Sequence, residues 1–460
     1  MTLKMIHSVN PATGETLASF PVHEDREIDR VLSAAATAQR SWRQKSVFER
    51  TGLLQSLARV LRARKAEFAR LITQEMGKPL AEAAGEVEKC AVTCDYYASH
   101  APAFLDDTLV ASNATDSRVV YDPLGVVLAV MPWNYPFWQV LRGAAPAMVA
   151  GNAVVLKHAG NVPQCALALG SLFVEAGAPE GLFGVLLVES SAVKAVIADP
   201  RIAAVTFTGS TPVGRTIASQ AGHALKKQVL ELGGSDPFIV LADADVQAAA
   251  KAAVKARFQN SGQSCISAKR FIVEDSVADE FADALCALTA QLVVGDPMAP
   301  GTDIGPMARA SLRDELHAQV EATVQQGAVL RVGGHALAQT GHYYAPTVLD
   351  HVGSAMVAAR EETFGPVAAI IRVRDADEAV AVANSTEFGL GAALWTGDKV
   401  RAQQLSRQIE AGAVFVNGVV ASDARLPFGG LKQSGYGREL GIHGLREFTN
   451  IKTVWTGPAL

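Results

Sequence analysis

Cysteine is scarce in this chain: five thiols in 460 residues, Cys90, Cys94, Cys165, Cys265 and Cys286. Disulfide frameworks belong to short secreted chains, so this usage fits a reducing cytoplasm, and no secretory leader is read in the sequence. Charged residues make up only 19%, with a formal net charge of -5 and a pI near 6.1. No Lys/Arg stripe is present, which argues against a nucleic-acid surface. Long apolar runs are missing too. The most apolar stretch, 123–156, is interrupted by Pro132, Asn134, Pro136 and Arg142, short of the ~18 uninterrupted residues that suggest a membrane span. Repeats, low-complexity tracts and long linkers are absent. Cys90 and Cys94 are four residues apart on a helical pattern, but no further Cys or His cluster completes a metal site, and none is expected.

What the chain does have is apolar content, 49% over 460 residues. Single cores stop growing near ~250–300 residues, so two or more domains are expected. Apolar residues at three- and four-residue spacing predict a helical lead-in over 29–100. Short apolar strands then alternate with helices: strands at 125–131, 153–156, 184–187, 203–207 and 228–230, helices at 137–150, 165–175, 192–197 and 213–223. Such alternation predicts a parallel sheet covered on both faces. After Gly234 it resumes, with strands at 238–241, 270–274, 367–373, 392–396 and 413–417. Two further strands, at 119–121 and 448–455, have no sheet partner in this scheme and are expected to pair with each other or across subunits.

Four of the five thiols lie in apolar helical patterns or await no chemistry. Cys265 differs, with Gly262, Gln263 and Ser264 before it. A thiolate is the side chain best suited to attack an aldehyde and place negative charge on its oxygen. An ordinary thiol has a pKa near ~8.5, so activation is needed, and the sequence does not show its source. The oxyanion of the adduct requires preorganised donors. Asn134, just past the predicted strand end at Met131, supplies an amide where α/β sheets place ligands, and the Cys265 backbone N–H supplies a second donor. Release of the acid requires a base to activate water, and Glu231, before Gly233 and Gly234, is the candidate.

Six segments in order then resemble the NAD(P)-dependent aldehyde dehydrogenases: Trp133-Asn134, Phe207-Thr-Gly-Ser-Thr211, Glu231-Leu-Gly-Gly234, Gly262-Gln-Ser-Cys265, Glu361-Glu-Thr-Phe-Gly-Pro366 and Pro427-Phe-Gly-Gly430. The resemblance implies an α/β fold: a Rossmann-type parallel-sheet nucleotide domain, a second α/β catalytic domain and a small β oligomerisation arm. The boundaries expected are 1–110 with 124–233 for the nucleotide domain, 234–432 for the catalytic domain, and 111–123 with 441–460 for the arm. It makes Cys265 the nucleophile, Glu231 the general base and Asn134 the oxyanion donor. Both the family and this chain lack Gly-x-Gly-x-x-Gly. The cofactor contacts implied are Trp133, Lys157, Gly160, Gly209, Ser210, Leu232, Glu362 and Phe364. In NAD-selective relatives a Glu three residues after the equivalent of Lys157 binds the adenosine ribose. Here that position is Gly160, so both NAD and NADP are expected to be accepted.

Arg142 occupies a position at which succinate semialdehyde dehydrogenases carry Arg, and a guanidinium fits a distal carboxylate. A second Arg of many such enzymes is replaced by Gln259. Ser422 matches the substrate loop, with Arg425 close by. The phrases Leu156-Lys-His-Ala159, Ser235-Asp-Pro-Phe-Ile-Val-Leu241 and Ala421-Ser-Asp-Ala-Arg425 resemble a bacterial branch of these enzymes that accepts either cofactor. The expectation is oxidation of succinate semialdehyde by a homodimer or homotetramer acting on a small-molecule aldehyde, with no membrane or nucleic-acid partner. Glutarate semialdehyde, a CoA-acylating reaction and a non-catalytic binding protein on the same fold are the alternatives.

Overall fold

Before the first large sheet the chain builds four helices, Asp25–Trp42, Val47–Ala63, Lys65–Met76 and Leu80–Leu105, in a computed structural model that describes residues 4–457. Residues 1–3 and 458–460, the outer ends of two expected segments, lie outside the described residues. The expected 29–100 helical stretch is thus punctuated by local signals. Ser46 and Glu49 form a reciprocal capping box that starts the second helix, and Gly77, at φ +89°, ends the third in the left-handed conformation. A hairpin of Met5–Val9 with Thr16–Pro21 precedes them and was not anticipated. Its strands are mostly exposed or half-exposed, and their apolar residues are broken up by His7, Ser8, Thr16 and Ser19, so no continuous apolar run is there to read.

A six-stranded sheet follows, in the spatial order Gly435–Tyr436, Lys227–Glu231, Ile202–Thr208, Val126–Met131, Ala153–His158, Phe183–Val185. All neighbours are parallel except the first pair. The chain winds outward from Val126–Met131 in one direction, then returns to its other side with Ile202–Thr208. This reversal opens a crevice at the carboxyl ends of those two strands, where Pro132-Trp-Asn134 and Gly209-Ser210 stand.

A four-residue link, Leu232–Ser235, leads directly into the second sheet. Its order is Val329–Val332, Thr347–Asp350, Val367–Val373, Ala268–Glu274, Asp236–Val240, Gly391–Trp395, Ala413–Val416, with only the first pair antiparallel. Alternate residues of its strands enter two separate cores: Ile239, Ile272 and Ile371 on one face, Phe238, Phe271 and Ile370 on the other. Burial on both faces explains why these strands read as continuous apolar runs. The edge strand at 329–332 and its neighbour at 347–350 were missed. The first is largely exposed, with charged Arg331 inside it, and the second is only four residues long.

The two unpartnered segments do pair with each other. Thr449–Thr456 runs antiparallel to Asp116–Pro123 over eight residues, and Thr108–Leu109 extends the pair to three strands. Among the described residues no helix is long and apolar enough to cross a membrane, and no cluster of His, Cys, Asp and Glu is arranged to hold a metal.

Candidate active site

Cys265 follows three consecutive residues in the left-handed region, Asn260 (φ 59°), Ser261 (φ 54°) and Gly262 (φ 71°). Non-glycine residues adopt this conformation only when their surroundings enforce it. Here the enforcement is a hydrogen-bond cage. The Asn260 backbone N–H donates to the Glu82 carboxylate at 2.9 Å, and its side-chain amide donates to the carbonyls of Asn134 (3.0 Å) and Gln263 (2.9 Å). Gly262 sits so close to the next motif that a Cβ would lie 2.3 Å from the Gly365 carbonyl oxygen. The fully buried Arg257 donates to the carbonyls of Thr363 and Gly365 from the other side. Segments 260–265 and 361–366, far apart in sequence, are thereby locked together.

The Asn134 amide nitrogen donates to the Gln263 carbonyl at 3.0 Å. An amide carries two protons. The second remains for a developing oxyanion, and Asn134 and Cys265 line the same cleft.

Burial pushes the Cys265 thiol up to about 12, with Arg142 and Lys269 opposing the rise and Glu231 and Glu362 adding to it. The thiol is therefore protonated at neutral pH until something accepts its proton. Glu231 ends the strand Lys227–Glu231, is 1% exposed, and neither carboxylate oxygen has a hydrogen-bond partner among the described residues. Burial raises its pKa, Glu439 raises it further, and Arg142 and Arg438 pull the other way. The Glu231 carboxylate faces this charged group and is not part of the wall of either cavity that reaches Cys265.

Two cavities meet at Cys265 and Gln139, which line both. The larger, about 610 Å³, is walled by Trp133, Asn134, Gly209, Ser210, Leu232, Gly233, Glu362 and Phe364. It extends to the first turn of the helix Thr211–His223, whose unsatisfied N–H groups favour a phosphate. Backbone closeness fits a flat, extended dinucleotide: a Cβ on Gly209 would meet the Phe207 ring at 2.5 Å, and one on Gly233 the Glu362 carboxylate at 2.5 Å. Phe364 packs edge-on to Trp133, ring centres 5.8 Å apart. Glu362 is fixed by the Gly234 N–H at 3.0 Å and by Lys269 at 3.6 Å. Lys157 and Gly160 do not reach this wall. Lys157 is buried in its strand, which lowers its pKa, and Gly160 is exposed on the loop beyond.

The smaller cavity, about 290 Å³, brings Arg142, Gln259 and Ser422 together with Cys265. Arg425 is not brought there. Its guanidinium is held by Asp423 at 2.9 and 2.5 Å and its side chain is 74% exposed, so the local counter-ion turns it outward. Arg142 is 1% exposed, and its Nε pairs with Glu439.

The aldehyde dehydrogenase family model matches residues 2–454. The chain belongs to the aldehyde dehydrogenase family. A relative from Escherichia coli named succinate semialdehyde dehydrogenase [NAD(P)+] is 51% identical over 450 residues, 97% of each chain. One from Mycobacterium tuberculosis, named succinate-semialdehyde dehydrogenase [NADP(+)] 1, is 49% identical, covering 98% of this chain and 99% of its own. Among solved structures, the succinic semialdehyde dehydrogenase of Streptococcus pyogenes in complex with NADP+ superposes with a TM-score of 0.96 at 37% identity, covering 98% of this chain and 100% of that one.

Three residues of this aldehyde dehydrogenase's site escaped the sequence reading. Glu439 lies in a Gly-Arg-Glu phrase after the last quoted motif and reads as a solvated loop acid. Gln139 stands on the helix that carries Arg142, three residues before it. Lys89 reads as the polar face of a long helix, and only its spacing from Glu82 and Glu86 hints that the three share a face.

Proposed function

We propose that this aldehyde dehydrogenase oxidises succinate semialdehyde to succinate with NADP or NAD. The observation that carries this reading is the small cavity, in which cationic and hydroxyl side chains stand on the same wall as a single accessible thiol. The names of the relatives at about half identity agree with it.

In this reading Cys265 Sγ bonds to the aldehyde carbon as the thiol proton leaves to water in the cleft. The second Asn134 amide proton and the Cys265 backbone N–H donate to the oxygen as it becomes negative. The dinucleotide, when bound in the larger cleft, supplies the acceptor for the hydride, and loss of that hydride leaves a thioester on Cys265. Glu231, in its ionised form, then takes a proton from a water molecule. The hydroxide bonds to the acyl carbon, the C–S bond breaks, and the acid departs as the thiolate is restored. Glu362 would hold the nicotinamide ribose, Phe364 and Trp133 would wall the ring, and Gly209, Ser210 and Leu232 would line the path to the phosphates. Lys157 and Gly160, which do not line this cleft, would stand toward the adenosine ribose. Arg142, Gln259 and Ser422 shape the cavity for a carboxylate.

The domains assigned are 1–110 with 124–233 for the cofactor and 234–432 for catalysis. The three-stranded arm leaves Leu109, Ile451 and Trp455 exposed at 70%, 62% and 52%, which fits burial in a homodimer or homotetramer. Five free cysteines suit a cytoplasmic setting.

A panel of ω-carboxy and neutral aldehydes, run with each cofactor, tests the reading. Succinate semialdehyde should give the highest kcat/KM. Glutarate semialdehyde should follow within the ~1–3 kcal/mol that one methylene is worth in a pocket. Equal or better turnover of neutral aldehydes of the same length would overturn it.

A further inference from the structure

Helix Leu80–Leu105 turns Glu82, Gly85, Glu86 and Lys89 toward the small cavity, the spacing of one helical face. Lys89 Nζ donates to Ser422 Oγ at 2.6 Å and lies 4.4 Å from the centre of the Trp138 ring. Among the described residues Lys89 makes no ion pair. The acids around it are committed elsewhere. Glu86 is held by Lys78 at 2.6 Å and by the N–H groups of Phe137 and Trp138 at 2.9 and 3.0 Å. Asp423 is forked by Arg425, and Glu82 accepts from the Asn260 backbone. The other cation on the cavity wall, Arg142, is paired with Glu439.

An ammonium largely removed from water without a counter-ion is costly, and an anionic ligand relieves that cost. The geometry points to Lys89 as the residue that selects aldehydes bearing a distal carboxylate, its ammonium and the Ser422 hydroxyl receiving the carboxylate together. This deepens the proposed succinate semialdehyde reading and rests on it. Arg142, held by Glu439, then forms the charged back of the cavity, and Gln259 adds a neutral donor. The Trp138 ring, 4.4 Å from the ammonium, gives it a cation–π contact.

Titration offers a second handle. Burial brings the Lys89 ammonium down to about 8, helped by Arg142, while Cys90, Glu86 and Asp423 oppose the fall. Below that pH the ammonium is charged and attracts the carboxylate; above it the attraction is lost. Glu82, raised by burial to about 7, faces the same cavity and becomes a repelling charge as pH rises. It remains in a Lys89 variant, so the limb near 8 is the one removed with the lysine.

The experiment compares wild type, Lys89→Met and Lys89→Arg on succinate semialdehyde and butanal across pH 6–9, with NADPH binding by fluorescence as the check that each variant is folded. Lys89→Met should raise KM for succinate semialdehyde about tenfold to a hundredfold, the worth of a charged hydrogen bond, with a much smaller change in kcat and in butanal turnover. Its kcat/KM for succinate semialdehyde should lose the decline near pH 8 that wild type shows. Lys89→Arg, which keeps the charge, should recover most of the discrimination. If wild type prefers the carboxylated aldehyde and Lys89→Met keeps that preference, or loses both substrates equally, the role assigned to Lys89 is wrong. If wild type shows no preference, the succinate semialdehyde reading beneath it fails first.

Discussion

Arg142 and Glu439 form an ion pair in which each side chain is 2% exposed, and Glu439 in turn raises the pKa of Glu231. The pair thus joins the cavity wall to the base assigned to deacylation. With its Nε taken by Glu439 and Nη2 3.4 Å from Thr208 Oγ1, the Arg142 guanidinium is a constrained partner for a ligand.

Removing one member of such a pair leaves the other charge buried and unmatched, which costs about 3–5 kcal/mol. Arg142→Ala should therefore lower the urea midpoint of unfolding, besides raising KM for succinate semialdehyde more than for butanal. The KM effect should be smaller than that of Lys89→Met, because the guanidinium is already partnered. An unchanged midpoint would mean that the pair contributes nothing to the fold.

Glu231 and Cys265 should separate cleanly in rapid kinetics. Cys265→Ala removes the atom that becomes acylated, so acid formation should stop. Glu231→Gln leaves the thiol in place, so one equivalent of reduced cofactor should appear rapidly, followed by a steady rate about a hundredfold or more below wild type, the range general-base catalysis supplies. Burial and Glu439 hold the Glu231 pKa above the ordinary carboxylate value, and only the ionised form is a base. The deacylation rate of wild type should accordingly rise with pH through that raised pKa and be flat in Glu231→Gln. A normal steady state in the variant would remove Glu231 from its role.

The order of motifs made much of this site legible in the sequence. Residues 133–134, 209–210 and 231–234 follow predicted strands, and their meeting is a consequence of parallel sheets placing strand ends together. Strands buried on both faces, such as Val126–Met131 and Phe238–Val240, were readable because every residue is apolar. The hairpin at residues 5–21 and the edge strand at 329–332 were not, since exposed strands need no apolar pattern. Charge partnerships were hidden for another reason. That Glu439 would claim Arg142 and that Lys89 would be left without an acid depend on contacts spanning up to 333 residues, which local spacing does not encode.

The turn before the nucleophile gives a stringent test of preorganisation. Gly262 is at φ +71°, and its added Cβ would fall 2.3 Å from the Gly365 carbonyl oxygen, a backbone atom with no freedom to swing aside. Gly262→Ala combines a left-handed strain of about 1–2 kcal/mol with a clash that must part the 260–265 and 361–366 segments. Because Cys265 and Glu362 sit on the parted segments, kcat should fall by at least about tenfold and cofactor binding should weaken together with it. Wild-type kinetics in this variant would show that the close approach has no catalytic consequence.

In the proposed reading, cofactor choice rests on residue 160, a position where chemistry rather than space decides. Gly160 has no heavy atom within 4 Å of where a Cβ would stand, so a longer side chain enters without repacking. A carboxylate placed there repels the 2′-phosphate of NADP and offers the ribose hydroxyls of NAD an acceptor. Gly160→Glu should therefore lower kcat/KM for NADP by about tenfold or more while that for NAD holds or improves, at an unchanged melting temperature. Measuring both cofactors at low and at high ionic strength separates the two contributions. Repulsion should weaken as salt screens it, whereas a hydrogen bond to ribose should persist. If the ratio of the two cofactors does not move at either salt, the adenosine ribose lies beyond reach of residue 160 and the assignment of Lys157 and Gly160 to that end of the cleft is wrong.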